Sequence, residues 1–232
     1  MRPSAADAIP PLENGDHLSR PEFERRFEAT PGLKKAELIE GIVYMPPPVS
    51  TDSHGRPHFD LITVLGTFRA ATPGLEGGDN SSVRLDLDNM PQPDVCLFLT
   101  PAAGGQSKID ADGYLNGAPE FVAEIAASTA SYDLHEKLRV YRRNGVREYV
   151  VWRTFDGAVD YFVWKDAEYQ RLAPTDAVYR SQTLPGLWLD FAALLAGDLA
   201  AALRKMQEGI ASPEHAAFVA KLQAAQQPPK TT

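Results

Sequence analysis

Three charged residues occupy places where a folded core does not normally hold charge: Asp94 in P-D-V-C-L-F-L, Glu124 in E-F-V-A-E-I-A-A-S-T and Lys137 in D-L-H-E-K-L-R-V-Y. An isolated buried charge costs several kcal/mol, so such groups persist by pairing, by shifting their pKa or by holding a metal. Two carboxylates with a nearby ammonium suit phosphodiester hydrolysis. The acids can hold Mg²⁺ or Mn²⁺, which polarises a phosphoryl oxygen and acidifies water, and the peptide carbonyl of Ile125 can add a further hard oxygen ligand. The lysine can then orient the water or stabilise developing charge.

The elements that must position these groups are readable from the hydrophobic pattern. Val95 to Leu99 and Phe121 to Ala126 are apolar almost throughout, as expected of strands covered on both faces. In the second run Glu124 shares a face with Val122 and Ala126. On the following helix, about 132–144 and stopped by Asn144-Gly145, Leu134, Leu138 and Tyr141 form an apolar stripe that contains Lys137. Lys137 is therefore expected to face the sheet. Asp94, after Pro93 at the start of its strand, is expected to meet both.

Around this centre, Ser19, Pro21 and Glu22 signal a short helix to about Ala29, and A-E-L-I-E-G-I-V-Y-M reads as strand interrupted at Gly41. Phe59, Ile62, Leu65 and Phe68 predict an amphipathic helix over about 58–69. Residues 73–80 read as loop, Val83, Leu85 and Leu87 as one face of a strand, and 101–118 as a surface loop. E-Y-V-V-W, A-V-D-Y-F-V-W and A-E-Y-Q-R-L form a predicted meander, and Leu187 to Leu203 reads mostly as helix. The sum is one α/β or α+β domain over 18–211, a mixed sheet flanked by helices, with a flexible leader (1–17) and a flexible tail (212–232) that frays beyond a short Ala-rich helix.

The bulk properties exclude several classes. The chain has 232 residues, 44% hydrophobic and 23% charged, near the averages of about 45–50% and about 25% for folded soluble domains. No stretch approaches the ~20 apolar residues of a membrane span, the N-terminus carries no apolar signal segment, and the single cysteine suits a reducing compartment. A cytoplasmic protein is expected. The net charge of −8 lacks the basic excess of a general nucleic-acid binder. Lys137, Arg139, Arg142, Arg143 and Arg147 nevertheless cluster in sequence, either to guide a phosphate backbone or as a solvated helix face. His54 and His58 lie four apart, but Gly55 and Pro57 spoil the helix that a zinc motif requires; His54 either lies near substrate or belongs to a turn. Glu37 and Glu40 have opposite strand parity, so only one can face the site. The three tryptophans are expected to pack in the core or at an interface.

The ordered set A-E-L-I-E-G-I-V-Y-M-P-P-P, S-H-G, Q-P-D-V, V-A-E-I-A-A-S-T, D-L-H-E-K-L-R-V-Y-R-R-N-G-V-R-E-Y-V-V-W and L-P-G-L-W-L-D resembles the Uma-type family of putative restriction endonucleases, within the PD-(D/E)xK nuclease superfamily. The resemblance runs from about Leu18 to Leu195. It implies a restriction-endonuclease-like fold, a DNA substrate, Asp94 and Glu124 as the paired acids, Glu37 as the additional acid near the N-terminus, and a homodimer. The superfamily pattern puts its lysine two residues after the glutamate, where this chain has Ala126; Lys137 stands where the Uma-type pattern carries a substitute. A nuclease fold that no longer cuts and serves as a binding or assembly module is the competing expectation. A glycoside hydrolase ranks last, because a lysine between the acids would keep both ionised and leave no general acid.

Overall fold

The Ser19-Arg20-Pro21 start produces α1 (Arg20–Glu28) in the computed structural model, which describes residues 9–227. The segment read as one interrupted strand is a hairpin of β1 (Glu37–Ile39) and β2 (Ile42–Tyr44). Its turn is Glu40-Gly41, both with positive φ (53° and 74°), as a two-residue hairpin loop requires. The described part of the expected leader is docked rather than free: Leu12 is buried beside Phe23, Leu38 and Val43, and Gly15 N donates to the Val43 carbonyl at 2.8 Å. Residues 1–8 of that leader and 228–232 of the expected tail lie outside the described residues.

A π-helical turn, Thr51–Gly55, leads into α2 (Arg56–Ala71). Its buried face is Leu61, Val64, Leu65 and Phe68, whereas Phe59, expected on the inner stripe, is exposed. The expected loop at 73–80 contains β3 (Leu75–Asp79), an edge strand paired with β5 (Val95–Leu99). Pairing uses only backbone amides, and close approach explains the glycines. A Cβ on Gly77 would lie 3.1 Å from Leu97 Cδ2, and one on Gly78 would lie 3.1 Å from Cys96 Sγ. The alternating segment 82–88 supplies only β4 (Val83–Arg84), because Asp86 Oδ1 accepts from Asp88 N and Asn89 Nδ2 and turns the chain; Leu87 is exposed. The expected loop 101–118 holds β6 (Lys108–Ile109) and β7 (Leu115–Asn116), which join β4 in a small sheet ordered β4-β7-β6. Arg84 ties this sheet together through Glu24, Asp110 and Asp112.

The central chain then runs through β8 (Phe121–Ala126), α3 (Ala130–Tyr132), a second π-helical turn (Asp133–Lys137) and α4 (Leu138–Asn144), which Gly145 ends at φ 79°. The meander appears as predicted: β9 (Glu148–Arg153), β10 (Ala158–Lys165) and β11 (Glu168–Arg171). Together these strands make a six-stranded mixed sheet ordered β11-β10-β9-β8-β5-β3, in which only β8 and β9 are parallel.

A second small pair, β12 (Tyr179–Arg180) and β13 (Trp188–Leu189), precedes three helices. The run 187–203, read as one helix, is divided by Gly197 (φ 74°) into α5 (Phe191–Leu195) and the start of α6 (Leu199–Ile210). The described part of the expected flexible tail is α7 (Pro213–Ala225), capped by Ser212 and packed into the core through Phe218 and Leu222. One face of the sheet, carrying Phe121, Ala123, Ile125 and Val150, is covered by α2 and the C-terminal helices. The other, carrying Val122, Ala126 and Val151, is covered by Tyr141 of α4. No described helix is long and apolar enough to cross a membrane.

Candidate active site

The pairing of β5 with β8 decides where the two acids meet. Val95 pairs with Ala123 and Cys96 with Val122, so one further step of this antiparallel register sets Asp94 opposite Glu124. Both lie on the face covered by α4, and Asp94 N lies 3.4 Å from Glu124 Oε2. From the helix side the second π-helical turn sets the buried face as Asp133, Lys137, Val140 and Tyr141, with Leu134 and Leu138 flanking it. Such turns recur at functional sites because they re-aim a side chain within a helix. Lys137 Nζ is 2.9 Å from Glu124 Oε1, 2.9 Å from Glu37 Oε1 and 3.7 Å from Asp133 Oδ1. Asp94, Glu124, Lys137 and Glu37 therefore converge, each no more than 4% exposed.

Further groups complete the cluster. Asp94 accepts from Lys35 Nζ (3.1 Å, Oδ1) and Ile125 N (2.8 Å, Oδ2), and its Oδ2 lies 3.1 Å from His54 Nε2. The first π-helical turn, with Ser50 Oγ accepting from Ser53 N, presents His54. His58 Nε2 contacts the Asp94 carbonyl oxygen at 2.9 Å instead of sharing a ligand with His54. Tyr141 OH donates to Glu124 Oε1, and Gln92 N donates to Glu37 Oε1. Lys35 and Tyr141 escaped the sequence reading as site residues. Lys35 precedes the strand Glu37–Ile39, so strand parity gives no signal for it. Tyr141 was read only as part of the apolar stripe.

Burial pushes the Glu124 carboxyl up to about 8, against the pull of Lys137. Burial also acts to raise Asp94, but the His54 hydrogen bond and the Lys35 ammonium hold it well below the usual carboxylate range. Lys137 lies well above its ordinary value because Glu124, Glu37 and Asp133 outweigh its desolvation. Two adjacent carboxyl groups are thus driven in opposite directions, so, contrary to the expectation from sequence, Lys137 does not keep both ionised: burial outweighs its pull on Glu124.

These residues line an open pocket of about 270 Å³ whose rim includes Pro46, Ala127, Ser128 and Phe155. It lies past the carboxyl ends of the parallel pair β8 and β9, where α/β sheets commonly bind ligands. Among the described residues no three His, Cys, Asp or Glu side chains form a ready-made metal cage. The donor chemistry nevertheless fits a hard divalent cation. Glu37, Asp94, Glu124 and Asp133 share the ammonium groups of Lys35 and Lys137, and among the described residues Glu124 Oε2 has only its long backbone contact.

The other sequence candidates lie elsewhere. Glu40 sits in the β1–β2 turn and pairs with Arg143 at 2.9 Å. The basic cluster divides: Lys137 is inside, Arg139 and Arg143 face Glu40, and Arg142 pairs with Glu168. Arg147 stacks on Trp164. Trp152 packs edge-on against Phe191, and Trp188 donates to Glu214.

Comparison with known proteins agrees with this architecture. No curated protein matches the chain. A crystal structure of a putative nuclease belonging to DUF820 from Anabaena variabilis ATCC 29413 is similar over 80% of this chain and 97% of its own, at 13% identity and a TM-score of 0.52, which marks a shared fold. The family model described as "Uma2: Putative restriction endonuclease" matches residues 20–192, which include the whole six-stranded sheet and the residues lining the pocket. The chain belongs to the Uma2 family of putative restriction endonucleases.

Proposed function

We propose that the protein is a divalent-metal-dependent endonuclease that hydrolyses DNA phosphodiester bonds at the Asp94–Glu124–Lys137 centre. The observation that carries this reading is the burial, in one open pocket, of four carboxylates against two ammonium groups drawn from distant parts of the chain. Four buried carboxyl groups cannot all ionise cheaply against two ammonium groups, so burial keeps Glu124 protonated until a cation takes the place of its proton. Asp94, Glu124 and the Ile125 carbonyl would hold Mg²⁺ or Mn²⁺. When bound, that ion would supply Lewis acidity and a more acidic water. Lys137, already hydrogen-bonded to Glu124, is placed to donate to a phosphoryl oxygen, and Glu37 fixes its direction. Asp94, kept ionised by Lys35 and His54, is the permanent anion of the pair. A single site breaks one strand, so cleavage of both strands at one locus calls for the homodimer that the family resemblance implies.

Incubation of the purified protein with supercoiled DNA and Mg²⁺ or Mn²⁺ tests the reading. Nicking or linearisation that requires the metal and disappears in Glu124→Gln and Asp94→Asn is expected. Cleavage that persists in both variants would remove the site from the mechanism. A second reading, a nuclease fold that binds without cutting, is favoured by Ala126 at the superfamily's lysine position and by the enclosure of Lys137 among three carboxylates. Saturable DNA binding without turnover at any metal concentration would select it.

A further inference from the structure

A second pocket of about 240 Å³ adjoins the first, sharing Ser53 and Phe155 with it. Its wall includes Trp152, Thr154, Leu194 and Leu195, with Asp52, Arg56 and Asp60 at the mouth. Phe155, in the turn between β9 and β10, is 71% exposed at the boundary between the pockets, where a large aromatic has no packing reason to stand.

The charge at the rim selects the guest. Asp52 and Asp60 flank Arg56, which pairs with Asp52 at 3.2 Å, so the mouth carries a net negative charge that disfavours a phosphate. A flat, uncharged ring with polar edges fits the same features. Its face can lie on Phe155, and an exocyclic amino group can donate to the aspartates.

We propose that this second pocket receives a nucleobase of the DNA strand, on the nucleotide next to the phosphodiester held at Asp94 and Glu124. This inference rests on the endonuclease reading and adds a base-binding subsite to it. It requires the base to leave its stack, so single-stranded or locally opened DNA is the preferred form of substrate.

The test compares kcat/KM with Mn²⁺ on an oligodeoxynucleotide, single-stranded and as a duplex, with that on counterparts lacking the base beside the mapped cleavage position. Wild type and Phe155→Ala are each measured. Loss of the base is expected to lower wild-type kcat/KM about tenfold or more, and less than about threefold in Phe155→Ala, because stacking is then already gone. Phe155 is exposed in a turn, so its variant keeps the fold. Equal cleavage of intact and base-free strands by the wild type, or the same drop in wild type and Phe155→Ala, would overturn the subsite and leave the endonuclease reading standing. Failure to cut any of these DNAs under conditions where the protein is folded would overturn both.

Discussion

Replacing Lys137 by Met tests the electrostatic account of the pocket without relying on catalysis. The ammonium is 4% exposed and lies within 3.7 Å of three carboxylates, themselves 2–3% exposed. Removing one partner of a buried ion pair costs about 3–5 kcal/mol. For a chain of this size 1 kcal/mol shifts Tm by about 2–4 °C, so a fall of about 6–20 °C is expected at pH 7 without divalent metal. The loss should be smaller at pH 5. Without Lys137 the Glu124 and Asp133 carboxyls, already raised by burial, rise further, so the folded variant binds protons that the unfolded chain has released, and its stability falls as pH increases. Mn²⁺ should then restore more Tm to Lys137→Met than it adds to the wild type, because it supplies the missing positive charge. Differential scanning calorimetry at both pH values, with and without Mn²⁺, measures each quantity. A change below about 2 °C at pH 7, or a loss as large at pH 5 as at pH 7, would refute the claim that Lys137 neutralises a buried anionic cluster.

Two further outcomes follow from the same geometry. The folded protein holds a proton on Glu124 up to about pH 8, whereas an unfolded glutamate releases it near 4.5, so this group's contribution to metal-free stability declines as pH rises through that window. Metal binding must displace that proton; isothermal titration calorimetry with Mn²⁺ should show affinity rising up to about tenfold per pH unit between pH 6 and 8, and a pH-independent affinity would remove Glu124 from the ligand set. Truncation after Ala211 removes Phe218, Leu222 and the His215 contact to Thr72. Burial of two large apolar side chains is worth about 1.5–3 kcal/mol each, so the truncated chain should lose roughly 3–6 kcal/mol in chemical denaturation, while an unchanged midpoint would show that α7 is dispensable.

What the sequence discloses and what it hides divide along a physical line. The inner strands and the meander were legible because burial on both faces, or β-branched and aromatic residues between turn signals, leaves a one-dimensional imprint: Val95–Leu99, Phe121–Ala126, Glu148–Arg153 and Ala158–Lys165 all emerged as strands. Charge within such runs was equally legible, and it led to Asp94, Glu124 and Lys137 converging. Elements stabilised by backbone pairing or by distant partners left no such imprint. Leu75–Asp79 carries two glycines and two acids, yet it pairs along β5 because its neighbours leave no room for side chains. The α7 segment reads as a short alanine-rich helix in a fraying tail, and only the fold shows Phe218 and Leu222 joining the core and His215 reaching Thr72. The same division holds within the site. Lys35 lies outside any strand and reaches Asp94 only because the β1–β2 hairpin docks beside Met90, a contact between residues some fifty positions apart. The charges that chemistry requires can therefore be found by asking what a core would reject. The groups that tune those charges are found only when the fold shows which strangers in sequence become neighbours in space.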